Sequence, residues 1–330
     1  MLLPDELRTA LDSALSRFSP QDLSQAAEQL TERYRAHDPG GAVPFMRTPQ
    51  DVAAYAAYRM PATYAACTAA MGRAAALAPG FAPRTHLDVG GGTGAAVWAA
   101  SGVWPSLEQV TVVEQDAKVI ELGRRLARSA PSTAVRGTSW RQASVRAGLD
   151  RPAADLVTMS YALGELPERD VPEVALWLAE RAALVMIVEP GTPAGYATIA
   201  AAREALLGRG LAVLAPCPHG GPCPIEPGRD WCHFSVRLPR TSLHRRVKAG
   251  TLGFEDEKFS YLAVAGEGAA ARVAVTPGAR VLRHPGKRKG VVSLRLCTPG
   301  DGVRDVIVSK RQGEVYRLAR DVEWGDAWSH

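Results

Sequence analysis

The glycine-rich segment over residues 85–100 is the part of the sequence best suited to holding a cofactor. It reads THLDVGGGTGAAVWAA, an apolar strand pattern followed by glycines and then by a helical pattern. Gly90, Gly92 and Gly94 thus stand at a strand-to-helix turn, where glycine permits a tight turn and close approach of a ligand. Asp88 comes two residues before the first of these glycines. Glu114 ends the next strand pattern, QVTVVEQD, where an acidic side chain can bind both hydroxyls of a ribose.

Two kinds of cofactor fit this loop to different degrees. The glycines are compatible with the G-x-G-x-x-G/A pattern of dinucleotide-binding proteins, with Ala95 in the last place. A carboxylate at Asp88 would repel a pyrophosphate, but it would attract the sulfonium and amino groups of S-adenosylmethionine. The loop therefore favours S-adenosylmethionine over a nicotinamide dinucleotide. Asp116, Ser160 and Glu165 follow strand patterns at the same predicted sheet edge and are candidates for the pocket wall.

Residues for catalysis are harder to find. The segment SYALGEL lacks the Asn/Asp-Pro-Pro-aromatic motif typical of enzymes that methylate exocyclic base amines. We also expect no cysteine near this strand that could attack C5 of a pyrimidine. Glu189, in VEPG, could accept a proton, but it could equally cap the turn that follows. The sequence predicts a cofactor pocket more firmly than it predicts a reaction.

Four of the five cysteines lie in the last third of the chain. Cys217, Cys223 and Cys232 are separated by five and eight residues, and 64 more residues precede Cys297. In a cytosolic chain such a group favours a metal over disulfides. An Fe–S cluster tolerates this irregular spacing, whereas a zinc ribbon prefers paired C-x-x-C knuckles, and unligated buried thiols are the third possibility. Cys67 stands in an Ala-rich helical pattern and is expected to be a small buried residue.

The charge of the chain is unevenly distributed. The net charge is +5, and residues 201–330 hold 21 of the 39 Lys and Arg but 13 of the 34 Asp and Glu. This excess indicates either a polyanionic partner such as nucleic acid or only a solvated surface. The candidates for phosphate contacts are two short basic runs, with further cations around them: Arg245, Arg246 and Lys248; Lys287, Arg288 and Lys289; and Arg237, Arg240, Arg283, Lys310 and Arg311.

The elements that position these residues follow from hydrophobic periodicity. Residues 1–80 read as helices, one of which Pro61 is expected to end or kink. Residues 81–265 alternate strands and helices, which predicts an α/β, Rossmann-like domain of the class I S-adenosylmethionine-dependent methyltransferase type, with a Cys-rich insertion at about 216–235. Residues 266–330 read as a β-rich basic extension with EVYRLA among its strands. No run approaches the roughly 18 apolar residues of a membrane span, and no targeting pattern is evident, so a cytoplasmic location is expected.

Ten short segments occur in an order that resembles a known family. They are RMPATYAA, LDVGGGTG, SYALGEL, EPGTPAG, CPHGGPCP, WCHFSVRL, EDEKFSYLAV, LRHPGKRKG, LCTPGDG and WGDAW. Over about residues 50–330 they resemble the methyltransferase-like assembly factors of the mitochondrial small ribosomal subunit and, in particular, their bacterial relatives.

This resemblance implies a set of ligands and a partner. It implies an S-adenosylmethionine pocket whose loop runs from Asp88 to Gly94, and binding to small-subunit rRNA during ribosome maturation. It also implies a [4Fe–4S] cluster held by four thiolates: Cys217, Cys223, Cys232 and Cys297. Three functions are compatible with the sequence: an rRNA-binding assembly factor, an active rRNA methyltransferase, and an Fe–S oxidoreductase that uses a nicotinamide.

Overall fold

Three helices precede the main sheet. The computed structural model describes residues 2–35, 46–145, 153–180, 182–226, 228–239, 253–266 and 278–330. The first helices are α1 (Asp5–Leu15), α2 (Pro20–Arg35) and α3 (Pro49–Leu77). A capping box begins α3, because the Asp51 amide donates to Thr48 Oγ1 and the Thr48 amide donates to the Asp51 carboxylate. Of the two predicted effects of Pro61, the end of the helix is not found, since α3 continues through this buried proline and its packing offsets the missing hydrogen bond.

The main sheet has eight strands. They are β1 (Thr85–Val89), β2 (Gln109–Glu114), β3 (Ser139–Gln142), β4 (Ala154–Ser160), β5 (Ala182–Pro190), β6 (Ala212–Ala215), β7 (Phe234–Pro239) and β8 (Phe254–Ala265). Their order is β3-β2-β1-β4-β5-β8-β6, and β7 pairs with the first half of β8. Strands β1 to β5 are parallel, whereas β8 runs antiparallel to β5 and β6. This order confirms the predicted class I methyltransferase fold, and it brings the carboxyl ends of β1, β2, β4 and β5 to one edge.

Helices cover both faces of this sheet. The remaining helices around it are α4 (Ala95–Val103), α5 (Ala117–Ala127), α6 (Thr133–Arg136), α7 (Val171–Ala179) and α8 (Pro193–Gly208). On one face, α1 to α6 share a hydrophobic core with the sheet, and on the other face α7 and α8 form a second core. In the described residues, no helix combines the length and hydropathy needed to cross a bilayer.

A second, antiparallel sheet follows. It contains β9 (Ala279–Val281), β10 (Gly286–Arg288), β11 (Val291–Cys297), β12 (Val303–Ser309) and β13 (Ala327–Trp328). The prediction of a strand at EVYRLA is wrong, because these residues begin helix α9 (Glu314–Asp321). Tyr316 and Ala319, three residues apart, are the buried positions of α9 and pack on this sheet with Leu294 and Val308. This spacing gives α9 one apolar face, as a helix requires.

The two sheets meet at the Cys-rich loop between β6 and β7. A small core there joins Tyr196 of α8 to Ile225, Leu282 and Cys297. Arg73 of α3 also reaches the C-terminal region, since its Nη2 donates to the Trp324 carbonyl at 3.1 Å. The junction therefore contains both the loop that carries three cysteines and the end of β11 that carries the fourth.

Candidate cofactor pocket and cysteine cavity

The glycine loop follows β1 and forms hydrogen bonds with the end of β2. Gly90, Gly92 and Gly94 have φ of +64°, +56° and +88°, conformations that favour glycine. The Gly90 amide donates to the Val113 carbonyl at 2.8 Å, and the Gly92 amide donates to Glu114 Oε2 at 3.0 Å. The structure thus brings the glycine loop and the predicted ribose-binding acid into direct contact.

Asp88 lies fully buried beneath this loop. Thr158 Oγ1 donates to Asp88 Oδ1 at 2.6 Å, and His86 Nε2 lies 2.8 Å from Thr158 Oγ1. Because the threonine proton is used on Asp88, His86 Nε2 is the donor, and burial keeps this histidine neutral by lowering its pKa to about 3. Asp88 Oδ2 is buried without a partner among the described residues, against Gly91. Burial raises the pKa of Asp88 to about 7, so a nearby cation would favour its ionised form.

Glu114 is held by backbone donors. Its Oε1 accepts the amides of Gln115 at 2.7 Å and Asp116 at 3.0 Å, and burial raises its pKa. Oε2 accepts a single described hydrogen bond, from Gly92, and a carboxylate oxygen can accept a second. The Asp116 side chain caps α5 by accepting from the Lys118 amide at 2.8 Å. Glu114 is therefore placed to accept a further donor, whereas Asp116 is used within the fold.

Two more carboxylates lie at the same edge. Glu189 Oε1 accepts the amides of Leu163 at 2.9 Å and Gly164 at 3.2 Å, so it caps the turn after β4. Burial raises the pKa of Glu189 to about 7. Burial, followed by repulsion from Glu114 and Glu189, raises the pKa of Glu165 to about 8. Such a wall favours a ligand that carries positive charge.

Helix α3 packs beside the glycine loop, a contact that the sequence did not reveal. Tyr55 Oη lies 3.6 Å from where a Cβ on Gly92 would stand. Tyr161, a non-glycine residue with φ of +56°, donates through its hydroxyl to Glu257 Oε1 at 2.8 Å. The Arg59 guanidinium stacks 4.7 Å from the Tyr161 ring and lies 3.4 Å from Glu257 Oε1. Tyr55 and Arg59 are four residues apart, a spacing that places them on one helix face.

A cysteine does lie near the fourth strand, contrary to expectation. Cys67 Sγ of α3 is 3.3 Å from Ser160 Oγ, at the end of β4. Burial raises the pKa of the Cys67 thiol to about 12, so it is protonated near neutral pH. A protonated thiol is a poor nucleophile, and Cys67 remains a small buried residue.

The other four cysteines line one cavity of about 550 Å³ between α8, the Cys-rich loop and β11. Tyr196 Oη lies 3.2 Å from Cys223 Sγ, and His219 Nε2 lies 3.6 Å from Cys297 Sγ. Burial raises the pKa of the Cys217 and Cys232 thiols, and raises that of Cys297 to about 12. Within the described ranges, no three His, Cys, Asp or Glu side chains are arranged to hold a metal ion.

An exposed basic turn connects β10 and β11. Lys287, Arg288 and Lys289 are exposed, and the Lys310 amide donates to the Gly290 carbonyl at 2.8 Å, which brings Lys310 and the exposed Arg311 beside the turn. In the part of the chain that the structure describes, no acidic side chain pairs with these five cations. We refer to them as the basic knuckle.

Other predicted RNA contacts differ from the basic knuckle. Arg237 pairs with Asp256 at 2.7 Å, and Arg283 pairs with Asp230, so neither adds a free charge. The remaining predicted cations lie outside the described residues: Arg240, Arg245, Arg246 and Lys248.

The strand order and the glycine loop define a protein with the class I methyltransferase fold. The family described as "Mitochondrial small ribosomal subunit Rsm22" matches residues 49–329, and this chain therefore belongs to the Rsm22 family.

Two curated relatives illustrate this membership. The human "Ribosome assembly protein METTL17, mitochondrial" is 30% identical over 289 residues, which cover 82% of this chain and 61% of the relative. The Schizosaccharomyces pombe "Rsm22-cox11 tandem protein 2, mitochondrial" is 26% identical over 292 residues, which cover 73% of this chain and 38% of the relative. The chain thus spans less than two thirds of either relative.

Solved structures are similar to this chain only at a low level. Magnesium protoporphyrin IX methyltransferase from Synechocystis PCC 6803, solved with bound SAM, is 12% identical with a TM-score of 0.41. The match covers 74% of this chain and 97% of that enzyme. We draw no inference about function from so distant a likeness.

Proposed function

We propose that this chain is an assembly factor of the small ribosomal subunit that binds rRNA through its C-terminal region. In this proposal it binds S-adenosylmethionine at the glycine loop and holds a structural [4Fe–4S] cluster in the cysteine cavity. The observation that carries the proposal is the position of that cavity at the junction of the two sheets, in a member of the Rsm22 family. A group bound there would fix the basic C-terminal sheet relative to the cofactor-binding sheet.

The printed names of the relatives support the ribosomal part. METTL17 is named as a ribosome assembly protein, and the family is described by the small ribosomal subunit. The basic knuckle supports an RNA partner, since Lys and Arg without acidic neighbours suit phosphate contacts. Such contacts would give affinity that depends on salt and little on base sequence.

The pocket at the glycine loop fits S-adenosylmethionine in three respects. Its glycines adopt the positive φ of a tight turn, Asp88 Oδ2 is a buried acceptor without a described partner, and Glu114 can accept one more hydrogen bond. Asp88 would stabilise the cationic part of the ligand, and Glu114 would bind ribose hydroxyls. When bound, the cofactor supplies a methyl group to an acceptor. The acidic wall would orient the positive charge without requiring transfer of that methyl group.

The cysteine cavity fits a thiolate-bound cluster. Four thiols line it from two parts of the chain, although the described residues include no group of three or more side chains arranged to hold a metal ion. A cluster core is larger than a single ion and suits thiols spread around a wider space. Cys217, Cys223, Cys232 and Cys297 would be its ligands once deprotonated. The cluster would supply a covalent link between the Cys-rich loop and β11.

The first test measures association with ribosomal particles. A tagged full-length chain should co-sediment with small subunits or their precursors on sucrose gradients, and cells without the protein should accumulate immature small-subunit rRNA. A chain that sediments only as free protein, with normal rRNA maturation in its absence, would overturn the proposal. Mapping of methylated rRNA nucleotides in the same cells separates the assembly role from methyltransferase activity, because an active enzyme would leave one site unmethylated when absent.

The second test measures the bound groups. Protein purified without oxygen should contain iron and sulfide and absorb broadly near about 400 nm. Cys→Ser at any of the four cavity positions should remove this absorbance, whereas Cys67→Ser should retain it. A colourless protein with zinc would contradict the cluster assignment, and a protein with no metal would contradict both.

A further inference from the structure

Two buried guanidinium groups line the cysteine cavity without a carboxylate partner. Arg203 of α8 is 7% exposed and Arg280 of β9 is 3% exposed. Throughout the described ranges, neither side chain forms a salt bridge. Glu204 is the sole acidic residue in the described cavity wall, and it is exposed. Burying a cation without a counter-ion is costly, so these two charges call for a negative charge in the cavity.

Backbone carbonyls hold both guanidinium groups in place. Arg203 Nη2 donates to the carbonyls of His219 at 3.1 Å and Gly221 at 2.7 Å, which lie in the Cys-rich loop. Arg203 thus ties this loop to α8.

Arg280 links three segments in the same way. Its Nε donates to the Pro216 carbonyl at 3.0 Å, directly before Cys217, and its Nη1 donates to the Gly325 carbonyl at 2.9 Å. Arg280 is also the cross-strand neighbour of Cys297 in the β9–β11 pair, and paired residues point to the same side of a sheet. The cation therefore stands beside two of the four cysteines.

Three buried donors in this wall have no acceptor among the described residues. They are Arg203 Nε, Arg280 Nη2 and Tyr261 Oη. A buried donor without a partner loses its hydration and gains nothing in return. Three such donors around four sulfur atoms indicate a group that accepts hydrogen bonds and carries negative charge.

We infer that Arg203 and Arg280 neutralise the charge of a thiolate-ligated group in this cavity. Both arginines and Tyr261 also donate hydrogen bonds to it. The inference rests on the proposed function, in which that group is a [4Fe–4S] cluster. The two arginines offset the negative charge of the cluster and its four thiolates, and the unpaired donors bond to its sulfur atoms. These residues are positioning residues, because they affect the cluster through charge and hydrogen bonds and are not its ligands. Their charge stabilises the reduced cluster more than the oxidised one, since reduction adds negative charge.

The test compares Arg203→Met and Arg280→Met with the unmodified full-length protein, all purified without oxygen. Each Met variant should lose iron to a chelator several times faster and should show a more negative midpoint potential in a reductive titration followed by absorbance. Arg203→Lys and Arg280→Lys keep the charge, so their midpoint potentials should lie close to that of the unmodified protein. Arg209→Met, at an exposed position just after α8, is the matched control and should behave as the unmodified protein.

Tyr261→Phe keeps the inference testable if an arginine variant fails to fold, because it removes a single hydroxyl. It should shift the midpoint in the same direction by a smaller amount. Equal midpoints and equal chelator half-lives in all variants that load iron would overturn the inference while leaving the cluster intact. Unmodified protein without iron would instead overturn the proposed cluster.

Discussion

In the folded protein, one carboxylate oxygen of Asp88 accepts a hydrogen bond from Thr158, and the other is buried without a described partner. Its environment contains further acids, and repulsion from Glu114 adds to the effect of burial on the pKa of Asp88. Near neutral pH the Asp88 carboxyl group is therefore protonated in part of the molecules. A cationic ligand must compete with this proton, which makes the pocket sensitive to pH.

The affinity for S-adenosylmethionine should therefore rise with pH. If the ligand needs ionised Asp88, whose pKa is about 7, the dissociation constant should increase about tenfold from pH 8 to pH 6. Asp88→Asn should weaken binding at pH 8 and flatten this dependence. Isothermal titration calorimetry of the full-length protein measures both effects.

Glu121→Gln, on the exposed face of α5, is the control and should keep the pH profile. Glu165 and Glu189 have pKa values of about 8 and 7, so their ionisation can also contribute to the dependence of affinity on pH. The variant Glu165→Gln measures the contribution of Glu165. Binding that is independent of pH in the unmodified protein would refute the role given to Asp88.

At the scale of elements, helix α3 packs beside the glycine loop, where its Tyr55 approaches Gly92. It is tied to β8 by the Arg59–Glu257 ion pair, whose side chains are 22% and 11% exposed. Tyr161, at the end of β4, joins both by stacking on Arg59 and donating to Glu257. Three elements that are distant in sequence thus share one partly buried charge pair. Removing one charge leaves the other without its partner in a site of low polarity.

Glu257→Gln should destabilise the protein by about 3 kcal/mol, because Arg59 would then lack its counter-ion. Urea unfolding followed by circular dichroism measures this change, and hydrogen exchange should increase along α3. The double variant Arg59→Met, Glu257→Met should recover much of the loss. Glu108→Gln is the matched control, since its ion pair with Arg84 is exposed to solvent and its removal should have a much smaller effect on stability. Equal effects of the two single variants would contradict this account.

The elements that the sequence predicts well are those with a strong local pattern. The alternation of strands and helices predicts the methyltransferase fold, and the glycines predict the tight turn between β1 and α4. The hydrogen bond from the Gly92 amide to Glu114 is seen only in the structure. EVYRLA is short, and its apolar residues also match a strand, so tertiary packing determines that it is helical.

Contacts between distant segments leave no comparable local signal. Cys67 reaches Ser160, 93 residues away, and Arg59 reaches Glu257, 198 residues away. The partnerless donors of Arg203 and Arg280 are likewise visible only when the whole cavity wall is assembled.

At the scale of the whole molecule, acidic and basic side chains gather on different sheets. Carboxylates gather around the glycine loop of the main sheet, and the basic knuckle lies on the second sheet, at the turn between β10 and β11. The arginines near the junction are mostly used within the fold, as Arg237, Arg283 and Arg295 show by their pairs with aspartates. The basic knuckle differs from these arginines, because no acidic side chain in the described part of the chain pairs with it.

Neutralising the basic knuckle should weaken RNA binding and reduce its salt dependence together. The variant combines Lys287→Ala, Arg288→Ala and Lys289→Ala. The negative slope of log affinity against log salt should become shallower by about 2, since each phosphate contact contributes about 0.7 to 0.9 to its magnitude. Filter binding of small-subunit rRNA at several salt concentrations measures this slope. Alanine at Lys118, Arg124 and Arg128, three exposed cations on α5 and at its C-cap, is the matched control and should leave the slope unchanged. If both triple variants lower affinity equally, binding depends on net charge and not on this turn; if neither does, the turn is a solvated surface and the RNA contact lies elsewhere.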